Sequence, residues 1–365
     1  MNTPKIKTEI IAVLGRKTNN PRNSEGDFIR LSDGRILYAY SHYTGISEDD
    51  DAPCSIAAMI SSDNGQSFEH LPELLISAEE HETQNIMSVS FIRLDDDTLC
   101  IFYLCKYGAQ SEYVMRRCID EKKLIFSRPE IVIERNSEYY YVVNNARVLK
   151  DSTGNLYVPA ARHRIIKTVD NNDDNIYFAE SFIIKCDANA KNRRSFSPVF
   201  SMQNPRYSET GFQEPGIIEL PDKRFYAYFR TDRAFQYESF YSADSGWSEP
   251  NASRFTSPES PMLIKRNPYS GMYFAFWNPI PNYNGRLYNE KRWIHAGRNP
   301  LVMAVSENGI DFSDYAVIEN DPVHGFCYPS VYFIDRNSLL LAYCCGGEED
   351  GNCLSKSIIR KITVS

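Results

Sequence analysis

Proton transfer and anion binding need carboxylates and guanidinium groups held close together, and four short stretches of this chain supply them. Gln213-Glu214-Pro215-Gly216-Ile217-Ile218-Glu219-Leu220 runs into a turn, and the returning run ends at Tyr228-Phe229-Arg230. Glu214 and Arg230, sixteen residues apart, stand at the two ends of one hairpin, so the turn brings them to the same rim. Such a pair is either a structural ion pair between hairpin ends or a group that moves a proton and holds an anion. The run Glu48-Asp49-Asp50-Asp51 offers a general acid, Asp51 before its neighbours; the alternative is a solvated acidic loop. Glu25 and Asp27 add two more carboxylates near the start of the chain. Asn85, Asn144-Asn145 with Arg147, Arg162-His163, Asp232-Arg233, Gln236-Tyr237 and His295 fall near strand ends or in loops. A polar set of this kind suits sugar hydroxyls, and each member alone is equally a solvated or hairpin-capping residue. His163 and His295 are not spaced as metal ligands, and no Gly-rich phosphate loop or nucleophile-elbow serine occurs. No metal and no cofactor is expected.

The elements that must position these residues are hairpins. A tight polar turn leading into an apolar or aromatic run recurs six times, about every 60 residues: at Asp33-Gly34, Asp96-Asp97, Asp151-Ser152, Pro221-Asp222, Tyr269-Ser270 and Asp335-Arg336. Each is preceded by another apolar run, such as Phe28-Ile29-Arg30-Leu31. The pattern predicts an all-β chain, a six-bladed β-propeller of four-stranded antiparallel blades, with residues 1–365 forming one domain. A closed propeller gathers loops from every blade at one end of its axis, so residues distant in sequence share one pocket. The strand-like segments Ile6–Val13 and Ser357–Val364 are expected to meet in the closing blade and remove the exposed edge. The polar runs Asp170–Asn175 and Lys191–Arg194 read as loop tips, not domain boundaries.

Composition narrows the classes of function. A net charge of −8 and a pI near 5.4 argue against a nucleic-acid surface, which needs clustered Lys and Arg. Nine cysteines, an odd number with no zinc spacing, lie mostly in apolar runs and read as reduced core residues, which favours a reducing compartment. No apolar leader and no membrane-length stretch is seen, so a cytoplasmic location is expected, unless a leader has been removed.

A second repeat carries a family resemblance. Ser61-Ser62-Asp63-Asn64-Gly65-Gln66-Ser67-Phe68 fits the Asp-box pattern Ser-x-Asp-x-Gly-x-x-aromatic; Ser242–Trp247 is a shortened copy and Val305–Phe312 a degraded one. In such a turn the Asp side chain caps backbone N–H groups and Gly takes positive φ, a structural role away from the reacting face. With these turns inside the hairpin repeat, the whole chain resembles the sialidase (neuraminidase, BNR-repeat) superfamily. The resemblance implies a glycoside hydrolase that releases a terminal, sialic-acid-like sugar from an oligosaccharide or sialoglycoconjugate. It implies Tyr328, in Gly325-Phe326-Cys327-Tyr328-Pro329, as nucleophile, Glu214 as the base that activates it, and Asp51 as acid/base. Arg230 and Arg298 (with Arg292 as the rival of Arg298) would hold the sugar carboxylate, and Arg162, Gln236 and Tyr237 would line the substrate. A phenol is a sensible nucleophile where the anomeric carbon bears a carboxylate that repels anions, and sialidases are a known exception to the two-carboxylate rule.

The departure lies at the first arginine. Sialidases carry Arg-Ile-Pro before the first strand, and counting back from Asp33-Gly34 places Ser24 in the arginine's slot. Arg22 would have to reach in from two residues earlier, while Glu25 and Asp27 bring negative charge to the same place. Two alternatives follow: a sialidase-fold glycosidase acting on another sugar with Glu25, Asp27 and Asp51 as carboxylates, or a non-catalytic carbohydrate-binding propeller.

Overall fold

The structure is a computed structural model, and it describes residues 2–108, 112–167, 173–186, 194–202, 208–280 and 297–365. Tyr, Phe, Ile, Val and Leu dominate the apolar runs, and these form antiparallel strands because branched and aromatic side chains pack well on a pleated surface. The chain is all-β apart from short 3-10 turns such as Ala78–His81 and Glu348–Asp350.

The blade count expected from the hairpin repeat is corrected. Among the described residues the strands form five hydrogen-bonded sheets, of four, nine, five, five and four strands, not six separate four-stranded blades. The nine-stranded sheet runs from Asn23–Arg30 through Ile36–Tyr43 and Cys54–Ser61 to Asn85–Arg93, Leu99–Lys106, Glu112–Asp120 and Glu130–Ile133. It arises because Cys54 pairs in parallel with Asn85 and joins the first two hairpin repeats at a seam. A repeat in sequence counts hairpins; it does not report where neighbouring hairpins bond to each other. The remaining strands follow the hairpin order, with Gln213–Glu219 pairing Phe225–Arg230 and Leu263–Arg266 pairing Tyr273–Trp277. Ile6–Leu14 pairs with Lys356–Val364 from Ile6 opposite Val364 to Leu14 opposite Ser357, so the two termini complete one sheet.

The inner strands close around an axis. Asn23–Arg30 touches both Asn85–Arg93 and His324–Phe333, and Leu263–Arg266 touches Gln213–Glu219 on one side and His324–Phe333 on the other. Side chains cross between them: Asp27 Oδ1 accepts from Ser330 Oγ at 2.9 Å, and its Oδ2 accepts from the Phe91 N–H at 2.8 Å. The hydrophobic core lies between the sheets, for instance Leu37, Ile56, Val89 and Ile101 in one cluster and Ile218, Tyr226, Ile264 and Tyr273 in another. All nine cysteines are free thiols. No helix among the described residues is long and apolar enough to cross a membrane.

One local device recurs on the inner strands. Each of four pairings has a β-bulge, between Ser24 and Asp27, Met87 and Ser90, Gln213 and Gly216, and Cys327 and Ser330. In each the extra residue is left-handed: Glu25 (φ 51°), Ser88 (φ 61°), Glu214 (φ 45°) and Tyr328 (φ 51°). A non-glycine residue in this region costs about 1–2 kcal/mol, and a bulge re-aims the side chain that occupies it. Two of these bulges need a glycine beside them for space. A Cβ on Gly26 would stand 2.5 Å from the Tyr38 ring and the Ala39 carbonyl oxygen, and one on Gly216 would stand 2.1 Å from the Tyr228 ring. Gly216→Ala is therefore expected to destabilise the fold by about 1–3 kcal/mol through overpacking, read as a lower urea midpoint at unchanged m-value.

Candidate active site

The left-handed bulge residues meet at one cavity of about 410 Å³. Glu25, Ser88, Glu214 and Tyr328 all line it, so each of four distant strands presents its bulge residue to the wall. The rest of the wall includes Asp50, Asp51, Lys106, Tyr177, Arg230 and Arg298.

Glu214 sits at the centre of the polar contacts. It accepts the Tyr328 hydroxyl proton on Oε1 at 2.6 Å, and Arg230 Nη1 lies 2.9 Å from Oε2. Burial pushes the Glu214 carboxyl up, but the Arg230 charge and the Tyr328 hydrogen bond outweigh it and hold the group below its usual range. Burial and the Glu214 charge push the Tyr328 hydroxyl well above its usual value, so it keeps its proton and donates it to an ionised carboxylate. Arg230 is fixed from its other side by Glu259, 3.2 Å from Nη2. Arg298 stacks over Tyr328, its guanidinium carbon 5.7 Å from the ring centroid, and its Nη1 reaches Cys327 Sγ at 3.3 Å. Among the described residues no carboxylate lies within ion-pair distance of Arg298.

The opposite wall is a second charge cluster. Arg22, only 2% exposed, donates Nη2 to Glu25 Oε2 at 3.1 Å and Nη1 to Asp50 Oδ1 at 2.6 Å. It also donates Nη1 to the Glu48 carbonyl and Nε to Ser24 Oγ, and stacks over Tyr43. Lys106, buried at the end of an apolar strand, pairs with Asp51 Oδ1 at 2.9 Å and donates to the Asp50 carbonyl at 3.0 Å. Asp50 stands at the mouth with its side chain 65% exposed; partial desolvation against the wall raises its carboxyl, and the Arg22 and Lys106 charges outweigh this and bring it below its usual range. Glu25 goes the other way: burial dominates Arg22's opposing charge, Asp50 and Glu214 add to it, and the pKa reaches about 7. Asn85 Nδ2 anchors this loop by donating to the carbonyls of Asp50 and Ala52.

The expected site residues thus divide. Asp51, Glu214, Tyr328, Arg230, Arg298 and Glu25 share the cavity wall. Arg22 lies behind it, committed to Glu25 and Asp50. Asp27 points into the closed interior, where it ties three strands together. Arg162 pairs with Glu180 and stacks on Tyr139, lining a separate groove with Val132 and Phe182. Gln236 is fully buried and donates to Ser257 Oγ and the Ser260 carbonyl, while Tyr237 packs against Phe212. These last four are not brought to the cavity. Arg292 and His295 lie outside the described residues. Lys106 is not among the residues the motifs single out, and Asp50 enters the sequence reading only as a neighbour of Asp51 in the acidic run. Lys106 had a signal: a lysine ending the wholly apolar run Leu99–Cys105 is buried, and a buried charge needs a partner.

Four buried polar atoms of wall residues have no protein hydrogen-bond partner among the described residues: Asn144 Oδ1, Gln213 Oε1, Arg230 Nε and Arg298 Nε. Unanswered donors and acceptors converging on one cavity suit a polyhydroxylated ligand.

Residues 70–340 match the family described as a BNR repeat-like domain, and the chain belongs to that family, within the sialidase and BNR-repeat β-propeller superfamily. The fold is similar to a Dyadobacter fermentans protein of unknown function, at 14% identity and a TM-score of 0.71 over 99% of both chains. It is also similar to a Hadza microbial sialidase, at 11% identity and a TM-score of 0.67, covering 92% of this chain and 65% of that one. A Penicillium chrysogenum alpha-L-arabinanase complexed with arabinobiose has the same architecture, at 10% identity and a TM-score of 0.62 over 97% and 98% of the chains. Against the sialidases the chain spans little more than half to two thirds of their length, 55% for that of Trypanosoma rangeli. A search of the curated proteins finds no match to the sequence.

Removing Arg22 leaves Glu25 buried without its cation. Arg22→Ala is expected to cost about 3–5 kcal/mol at pH 8. Glu25 has its folded pKa raised, from 4.5 to about 7 beside Arg22, so its contribution to stability is full below 4.5 and lost as the pH rises through the folded value. Without Arg22 the folded pKa of Glu25 rises further, so the variant should regain stability relative to the parent as the pH falls from 8 through 7, and differ from it by a constant amount below about 6. Urea titrations at pH 8, 7, 6 and 5 check this, and a pH-independent difference would contradict it.

Proposed function

We propose that this protein is a glycoside hydrolase of the sialidase type, releasing a terminal acidic sugar from a glycan. The observation that carries the reading is the Tyr328–Glu214–Arg230 chain: a protonated phenol, buried in a cavity, donates at 2.6 Å to a carboxylate that a guanidinium keeps ionised. That is the ground state of a tyrosine poised to lose its proton as it attacks. In the first half-reaction Tyr328 Oη bonds to the anomeric carbon, its proton passes to Glu214, and the glycosidic C–O bond breaks. Asp51, at the open mouth of the cavity, protonates the departing oxygen. In the second half Asp51 takes a proton from water as the water's oxygen attacks the anomeric carbon, and the phenol leaves and recovers its proton from Glu214. Two displacements at one carbon give net retention. Arg230 and Arg298, on the side of Tyr328, would hold a carboxylate borne by that carbon. The sialidases and the arabinanase of like fold support a glycosidase without deciding the sugar.

A second reading, a hydrolase for a different sugar, is favoured by one observation: Arg22 is turned away from the cavity and Glu25 faces it. Hydrolysis of a fluorogenic sialoside beside uronic-acid and neutral glycosides separates the two. Tyr328→Phe should abolish turnover and Glu214→Gln should lower kcat by about 10²–10⁴, with little change in thermal stability for Tyr328→Phe. Full activity in Tyr328→Phe would end the tyrosine mechanism, and turnover of neutral glycosides alone would establish the second reading.

A further inference from the structure

Glu25 lines the cavity without a part in the mechanism above, and its role as inferred here rests on the acidic-sugar reading. Glu25 and Tyr328 occupy neighbouring bulges. Asn145 Nδ2 is shared by the carbonyls of Gly26 (2.9 Å) and Tyr328 (3.4 Å), and Asp27 is bonded to Ser330 two residues along. The Glu25 carboxyl therefore stands on the wall beside the nucleophile, with Oε2 held by Arg22.

Negative charge around it is already in excess by one. Glu25, Asp50, Asp51 and Glu214 face Arg22, Lys106, Arg230 and Arg298, and Glu259 leans on Arg230 from outside. A ligand carboxylate settling near Arg230 and Arg298 takes the guanidinium that has no carboxylate partner among the described residues, and leaves six carboxylates of the loaded site facing four cations. Two carboxyl groups crowded in a water-poor site share one proton instead of both ionising. Of the four carboxylates, Asp50 and Asp51 have cations and an open mouth, and Glu214 is held by both Arg230 and Tyr328. Glu25 is enclosed and meets only part of one guanidinium.

We propose that this site binds an acidic sugar together with one proton, and that Glu25 is the group that takes it, its carboxyl donating a hydrogen bond where a third guanidinium would otherwise stand. Glu25 is then a specificity-determining residue: ionised, it excludes the sugar's carboxylate; protonated, it accepts it. Its pKa near 7 in the empty site agrees with this, because the proton is then available at neutral pH.

The test is binding, read without turnover. N-acetylneuraminic acid, glucuronic acid and the methyl ester of each are titrated calorimetrically from pH 5 to 9, in paired buffers of different ionisation enthalpy. An acid should bind with nearly constant affinity below pH 7 and weaken about tenfold per pH unit above it, taking up close to one proton per ligand at pH 8. The esters should show neither effect. Protonation of His163, which also lines the cavity, would give a slope of the same sign, and Glu25→Gln separates the two. With a permanently neutral donor at position 25 the slope and the proton uptake should vanish. A slope that persists in Glu25→Gln, pH-independent binding by the parent, or no binding of either acid at any pH would each overturn the proposal. Should Glu25→Gln fail to fold, proton uptake by the parent, compared between acid and ester, still decides. Proton-linked binding without hydrolysis would leave this inference standing while the hydrolase reading fell.

Discussion

A β-strand presents alternate side chains to opposite faces, and an unbroken inner strand would give its polar residues no way to converge on an axis. The bulges solve this by inserting one left-handed residue at the same level of several inner strands. Glu25, Ser88, Glu214 and Tyr328 owe their shared cavity to that device. The positive φ each adopts is disfavoured, so the surrounding packing must impose it. Tyr38 beneath Gly26 and Tyr228 beneath Gly216 fill the space that a side chain on either glycine would need. Tyr228 is itself fixed, since its hydroxyl accepts from the Ile264 N–H and from Arg147, which also donates to the Met262 carbonyl. Rigid rings under strained backbone give the site residues little freedom, which is what a hydrogen bond of 2.6 Å between Tyr328 and Glu214 requires.

Once these side chains face inward they leave water, and each charge must then be answered by another. This explains why cations and carboxylates alternate on the wall. Glu214 remains ionised because Arg230 and Tyr328 reach it, and Asp50 because Arg22 and Lys106 do. Glu25, with the weakest compensation, is the group whose protonation state is movable. The same carboxylate chemistry gives different behaviour at each position because burial and neighbouring cations combine differently there.

Much of the site was legible because hairpin ends are fixed by turns. Glu214 and Arg230 follow from one turn, and Asp51 from its place shortly before the strand Cys54–Ser61, whereas Tyr328, expected to open the last hairpin, lies inside the strand His324–Phe333 at its bulge. What the sequence does not print is pleat parity. Gln236 and Tyr237 stand near a hairpin end as expected, but Gln236 faces the buried Ser257 and Ser260 and Tyr237 the aromatic core. Asp27 lies only two residues from Glu25, yet the bulge between them sends one to the cavity and the other to the interior. The blade count failed for a related reason. A hairpin is a local object, whereas the parallel pairing of Cys54 with Asn85, made as the Cys54 N–H donates to the Gln84 carbonyl, merges two hairpins into one sheet through a tertiary contact without a local signal.

Arg22 shows why a position in sequence does not settle a role. It lies two residues from the slot where the resemblance calls for an anion-holding arginine, and its side chain is long enough to enter the cavity. Three of its nitrogens are already engaged, by Ser24, by Glu48 and Asp50, and by Glu25. Turning it to a ligand would strand two carboxylates, one of them buried, at a cost larger than a single new ion pair returns. The pair of Arg22 and Glu25 is therefore one unit: neither can be read as a ligand contact without the other. A propeller framework shared with sialidases and an arabinanase is compatible with several sugars, and on the reading proposed above this unit is where the present chain would set its choice.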